Sequence, residues 1–467
     1  MKKVLILVDN AKRDLLSCVL ISQELSKLKV ISILTNKRDV IYDLISQRPD
    51  GLIVSRGDYP FVKRLKGLTK IFIYAGEGGR LTRESSLGSY IGYGRQALNN
   101  LDFVDKAFLW GNSQKQWLLE TGFFRLDQLE VVGCNRLDLY NNSVQKKLQD
   151  KSITIGIGFT SKSTSSYEGM NNIPENLYKM AGFIDTRMAV LQKNKGIEEY
   201  VWRDYAVVNI FMEVLIKLMK DTNLNFSLRV GPFEDQRAYD FLKKQYPGRI
   251  NIVNSDYPLP NWIREVDCLF TCWSTLGLEF LVNNKPVVGM FNMLDTERLM
   301  SSFIPEANGF NTIVKAYYNP KTIEECVEFF KRFELLEADI DFSPNKQFAS
   351  SILKDLLNWP QPNRSSWLIA KVIFDQLINF NANTNINDWV ERLYDKDTLK
   401  YKIYTLFPFP KVLKFIANVK LFFRDLVSSN FYGNRQHYFV GNQKKIISKV
   451  MLIDEKLYSI VSNKNND

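Results

Sequence analysis

The feature that most constrains this chain is a repeated alternation of short, almost wholly apolar runs with longer stretches of helical period. Lys3–Val8, Val30–Leu34, Gly51–Ser55, Ile71–Tyr74, Lys106–Leu109 and Leu129–Val132 are such runs. Each is too short for a helix and apolar at successive positions, which marks a strand covered on both faces. Arg13–Leu28, Arg38–Ile45, Tyr90–Asn100 and Ser113–Thr121 read as the intervening helices. Buried strands separated by helices pair in parallel, so the pattern predicts a doubly wound α/β sheet.

The alternation pauses at the polar stretch Asn141–Lys151 and then resumes. Strands are predicted at Ile153–Ile157, Asn225–Val230, Ile250–Val253, Cys268–Thr271 and Pro286–Met290. Helices are predicted at Tyr200–Lys220, Asp235–Gln245 and Asn261–Val266, and a further strand–helix unit follows. At 467 residues the chain is too long for one core. It is expected to form two Rossmann-like domains, 1–145 and 151–355, facing a central cleft at the carboxyl ends of their sheets. A helical extension is expected over 356–467, with a helix at Trp367–Leu377 that crosses back to the first domain. Within it Tyr404–Arg424 sets aromatics and lysines at helical spacing, which suits either packing on the body of the protein or an anionic membrane interface.

Composition excludes several chemistries. The only histidine is His437, so there is no His-based metal site and no Ser/His/Asp set in either main domain. Proton transfer must therefore fall to a carboxylate. Asp339-Ile-Asp341 is the one pattern of metal-binding look, and it lies past the core alternation, so no metal is expected. The five cysteines are scattered and odd in number, as in a cytosolic protein with reduced thiols. Met1–Asp9 carries no cleavage site after its apolar run and reads as a first strand, and no apolar run reaches membrane-spanning length. The net charge of +11 calls for a solubility explanation or an anionic partner; no nucleic-acid motif is present, and a phosphate-bearing substrate or an anionic membrane surface would serve as well.

The most telling motif is Thr271-Cys-Trp-Ser-Thr-Leu-Gly-Leu-Glu279 followed by Asn284-Lys-Pro286. Ser274 and Thr275 fall where a helix begins and would offer free N–H groups to a phosphate, while Glu279 could accept a sugar hydroxyl. The plain alternative is an ordinary helix cap. Arg229, with Gly231, Pro232 and Phe233 after it, closes a strand and could form a forked pair with phosphate or carboxylate. Thr160 and Lys162, in the polar loop Phe159–Ser166, are either further phosphate ligands or simply a loop. In the first domain Glu77, in Tyr74-Ala-Gly-Glu-Gly-Gly-Arg80, is the one carboxylate at its strand end. Beside Gly78 it could approach an acceptor hydroxyl as general base, or it could be an exposed turn residue. Asn135 and Arg136, just past the last strand of this domain, would point into the cleft.

The succession Glu77-Gly78, Phe108-Leu-Trp-Gly111, Val131-Val-Gly-Cys-Asn-Arg-Leu-Asp138, Arg229-Val-Gly-Pro-Phe-Glu234 and Ser274-Thr-Leu-Gly-Leu-Glu279 resembles bacterial surface carbohydrate biosynthesis proteins. These are glycosyltransferases of the two-Rossmann (GT-B) type, and the resemblance covers about residues 1–355. It implies a nucleotide-sugar donor on the second domain as substrate rather than cofactor, and an inter-domain active site without metal. The implied acceptor is a saccharide or lipid-linked saccharide, met in the cytoplasm or at the inner face of the membrane during capsule or lipopolysaccharide assembly. Gly231-Pro232-Phe233 stands where the family has His-Pro, which removes a donor contact, and only Glu77 remains of the family's acidic cluster. A polyol-phosphate transferase, a sugar-nucleotide epimerase of related fold and a non-catalytic polysaccharide- or membrane-binding scaffold are the competing readings. The near absence of histidine counts against the epimerase.

Overall fold

The computed structural model describes residues 1–9, 11–74, 83–91, 101–140, 152–158, 195–231, 239–254, 257–272, 274–295, 313–335 and 343–394. In chain order the first half comprises β1 (Lys3–Val8), α1 (Ala11–Lys27), β2 (Ile31–Asn36), α2 (Val40–Gln47), β3 (Gly51–Val54), β4 (Lys70–Tyr74), α3 (Arg83–Ile91), β5 (Lys106–Leu109), α4 (Asn112–Leu119) and β6 (Leu129–Val131). The second half comprises β7 (Thr154–Ile157), α5 (Lys195–Asp221), β8 (Asn225–Arg229), α6 (Asp240–Gln245), β9 (Ile250–Val253), α7 (Leu259–Glu265), β10 (Cys268–Thr271), α8 (Leu276–Val282) and β11 (Val287–Gly289). After it come α9 (Ile323–Glu334), α10 (Ser343–Leu357), α11 (Ser365–Leu377) and α12 (Ile386–Leu393).

Two separate parallel sheets result. The first has six strands in the order β2-β1-β3-β4-β5-β6, and the second five in the order β11-β10-β7-β8-β9. Every paired neighbour in both is parallel. This is the two-Rossmann architecture the apolar runs predict. Ile6, Ile53, Phe72 and Phe108 carry the centre of the first sheet, and Ile155, Leu269 and Phe270 that of the second, all with almost no exposure. Helices take their ends from local chemistry. In α9 the Thr322 hydroxyl accepts from Glu325 N at the start, acids fill the first turn and bases the last, and Phe329, Phe330 and Phe333 bury one side.

Both sheets belong to one compact unit, Met1–Lys37 with Pro49–Asn383. Within it α11 packs on α1. Among the described residues, 38–48 and 384–394 form the other unit, where α2 packs on α12 around buried Trp389, Val390 and Leu393. The helix expected at Tyr90–Asn100 is seen as Arg83–Ile91, and residues 92–100 lie outside the described ones. Past β11 the expected strand is reduced to a single parallel bridge, Val288 to Tyr318, before α9. Asp339, Asp341 and Tyr404–Arg424 also lie outside the described residues. Among the described residues no helix is long and apolar enough to cross a membrane, and no cluster of His, Cys, Asp or Glu could hold a metal ion.

Candidate functional site

In an open parallel sheet a ligand sits at the carboxyl edge, where the strand order reverses, because there the loops diverge and leave a crevice. For the second sheet that point lies between β7 and β10. The Gly158 amide donates to Phe270 O at 3.3 Å and the Thr271 hydroxyl donates to Gly158 O, so the two strand ends are joined up to the crevice. The turn Ser274-Thr275 and helix α8 follow immediately. Gly277 lets that turn close. A Cβ there would lie 2.1 Å from the Tyr317 hydroxyl, which donates to Ser274 O at 3.1 Å.

The turn spends most of its own amides. Leu276 N donates to the Ser274 hydroxyl at 3.2 Å, Gly277 N to Ser274 O at 3.1 Å and Leu278 N to Thr275 O at 3.1 Å. The amides of Leu276, Gly277 and Leu278 are thus spent within the turn, since a one-turn start folds back on its own acceptors. Ser274 and Thr275 stay half-buried at the crevice. Arg229 ends the neighbouring β8, with its guanidinium 5.9 Å from the ring centre of Trp262. Trp262 is fully buried, edge-on to Phe280, and donates to the Ser227 hydroxyl at 2.8 Å, which gives the arginine a rigid floor. Gly231 follows half-buried, while Pro232, Phe233, Thr160 and Lys162 lie outside the described residues.

In the first domain the chain beyond β6 turns back over the carboxyl edge of the sheet. Gly133 makes the turn at φ +83°, a region open to glycine, with Gln361 packed where a Cβ would project. The 3-10 turn Asn135–Leu139 follows. Asn135 is fully buried: its amide oxygen accepts from the Tyr74 hydroxyl at 2.5 Å and its nitrogen donates to Ser17 O at 2.9 Å. It ties β4 to α1 and does not point into the cleft as expected, because both ends of its amide are taken by the core. Asp138 is also committed to the fold, accepting from Ser365 N, Ser366 N and the Ser366 hydroxyl at the start of α11.

Arg136, by contrast, is delivered outward. Its Nη2 lies 2.6 Å from Oε1 of Glu279, and the Tyr140 hydroxyl donates to Oε2 of the same carboxylate. Burial works against the charge on Arg136, but Glu279, Cys134, Tyr140 and Asp14 together outweigh it and the guanidinium pKa is raised. Burial, then Glu279, pushes the Tyr140 phenol far up, with Arg136 and then Arg229 pulling it back. Burial likewise pushes the nearby Cys134 thiol up to about 12. Among the described residues Arg136 and Arg229 supply the positive charge here, beside Glu279 and neutral Tyr and Cys groups.

Sequence reasoning missed a second group, at the point between β1 and β3 where the order of the first sheet reverses. The Tyr59 hydroxyl lies 3.0 Å from both Asp9 Oδ1 and the Ser55 hydroxyl. Lys37 pairs with Asp9, and Arg56 lies 3.2 Å from Asp58. These residues follow the ends of β1, β2 and β3, and counting polar residues just past each apolar run would have found them. Glu77 and Gly78, past β4, lie outside the described residues.

No family model and no curated protein matches this chain. Solved structures do. The Staphylococcus aureus MnaA–UDP co-structure aligns over 82% of this chain and 100% of its own at 13% identity and TM-score 0.48. UDP-GlcNAc 2-epimerase from Neisseria meningitidis bound to UDP-GlcNAc aligns over 80% and 100% at 14% identity and TM-score 0.44. The apo lipopolysaccharide outer core galactosyltransferase WaaB aligns over 80% and 100% at 11% identity and TM-score 0.36. At such identities these matches speak to fold alone, and the fold itself rests on the two parallel sheets.

Proposed function

We propose that this chain is an enzyme acting on a nucleotide-activated sugar held where the strand order of the second sheet reverses. The observation that carries the reading is topological. The order β11-β10-β7-β8-β9 reverses between β7 and β10, and the Ser274-Thr275 turn and Glu279 follow β10 while Arg229 ends β8, which supports a ligand site at that reversal. Arg229 with the hydroxyls of Ser274 and Thr275 would take phosphate, Glu279 would take a ribose or sugar hydroxyl, and Arg136 adds positive charge from the first domain.

Two chemistries use such a site. Rearrangement of the sugar on its nucleotide needs that substrate alone, and UDP-GlcNAc 2-epimerases are among the solved structures similar to this chain. Transfer needs an acceptor as well, a saccharide or lipid-linked saccharide with Glu77 as its base. The absence of any histidine before His437 favours transfer.

The test is to incubate purified protein with CMP-, CDP-, UDP- and GDP-sugars, alone and with saccharide acceptors, and follow the products by NMR. Conversion of one nucleotide-sugar without acceptor identifies an epimerase, and acceptor-dependent nucleotide release identifies a transferase. Binding of none, by thermal shift on folded protein, would refute the nucleotide-sugar reading, because a ligand at a hundred times its Kd stabilises by about 2.7 kcal/mol.

A further inference from the structure

Glu279 belongs to the second domain, yet both of its carboxylate oxygens are engaged by the first. Arg136 takes Oε1 at 2.6 Å and Tyr140 takes Oε2. The carboxylate is almost wholly enclosed, its side chain 6% exposed, whereas the Arg136 side chain keeps 20%. The two partners come from one short turn, Asn135–Leu139 with Tyr140 at its end, and that turn is fixed from beneath by Asn135 on Tyr74 and Ser17 and by Asp138 on α11. Glu279 is held on its own side as well, where the Asn283 side chain donates to its backbone carbonyl at 2.7 Å.

A carboxylate so placed is not an open receptor. A hydroxyl from a ligand reaches it only by replacing a donor already there, and the donor that yields at least cost is the neutral phenol rather than the guanidinium, whose charge pairs with the carboxylate. We infer that Arg136 and Tyr140 are positioning residues that pin the two domains together through Glu279, and that a nucleotide's ribose competes with Tyr140 for the same carboxylate. The pin stands on the contacts alone, and the competition rests on the nucleotide-sugar reading above. Arg136 stays bound to Oε1 through the exchange and keeps Glu279 turned towards the crevice, while Tyr140 sets how much of the ribose contact is lost to the domain contact.

Two measurements separate the parts. Hydrogen exchange on the ligand-free protein tests the pin. Tyr140→Phe should speed exchange in both 276–282 and 133–140, segments on different domains, and leave β1 and β4 unchanged. Unchanged exchange in both segments, for Tyr140→Phe and for Glu279→Gln alike, overturns the pin. Calorimetric titration with UDP, CDP, GDP and CMP, and with the 2′-deoxy form of whichever binds, tests the competition. Tyr140→Phe should tighten the ribonucleotide by roughly 2- to 12-fold, the worth of one released hydrogen bond. It should leave the 2′-deoxy form unchanged, and Glu279→Gln should weaken the ribonucleotide. Equal or weaker ribonucleotide binding by Tyr140→Phe overturns the competition. Failure of every nucleotide to bind wild type, with the exchange result intact, refutes the nucleotide reading and the competition with it but leaves the pin.

Discussion

Asp138→Ala should loosen the return of the chain from the second sheet to the first. The carboxylate accepts three hydrogen bonds at the start of α11, from Ser365 N at 2.8 Å, Ser366 N at 2.8 Å and the Ser366 hydroxyl at 2.5 Å. Asp138, Ser365 and Ser366 are all buried, so water cannot take its place. Losing a helix cap costs about 1 kcal/mol. Stranding buried donors adds about 1–3 kcal/mol. The expected loss is therefore about 2–4 kcal/mol, felt where α11 packs on α1. Amide exchange is the suitable assay because it reads α11 separately from the rest of a large chain. At about 1.4 kcal/mol per tenfold, α11 amides should exchange roughly 30- to 700-fold faster while the second sheet keeps its protection. An acceleration under threefold, or one spread evenly over both sheets, would refute the reasoning. Burial also pushes the Asp138 carboxyl above its ordinary 3.8, against the pull of the Ser366 and Ser365 hydrogen bonds. The native state then holds this proton to higher pH than the unfolded chain does, so the group's contribution is present below about pH 4 and lost as pH rises through the folded value. Relative to Asp138→Asn, wild type should gain stability as the pH falls into the carboxylate range.

Two further outcomes follow from packing. All five cysteines are unbridged and buried, and burial pushes the Cys134 thiol to about 12, so native protein at pH 8 should show no promptly reacting thiol towards a disulfide reagent and five after unfolding; a prompt thiol in folded protein contradicts the burial. Gly277→Ala should cost about 1–3 kcal/mol in a denaturant titration, since Tyr317 is buried and cannot clear the new methyl without losing its bond to Ser274; undiminished stability would show that the turn is not close-packed.

The alternation of apolar runs by itself determined that there are two parallel sheets and nearly where each strand lies, because a strand buried on both faces must be apolar at every position. It also located the Ser274-Thr275 turn and the short helix after it, since hydroxyl residues past a strand end are suited to begin a helix. Fates of individual polar residues were not legible. Asn135 and Arg136 are neighbours in one motif, yet one fastens β4 to α1 and the other meets Glu279, 143 residues away. Asp138 caps a helix 227 residues downstream, and Lys285, within the Asn-Lys-Pro motif, donates to Ile263 O at the end of α7 at 2.6 Å. Local sequence specifies the donors and acceptors a segment carries and the period at which it presents them. Which distant segment satisfies them depends on how two whole sheets and a returning helix pack, and only the tertiary structure decides that.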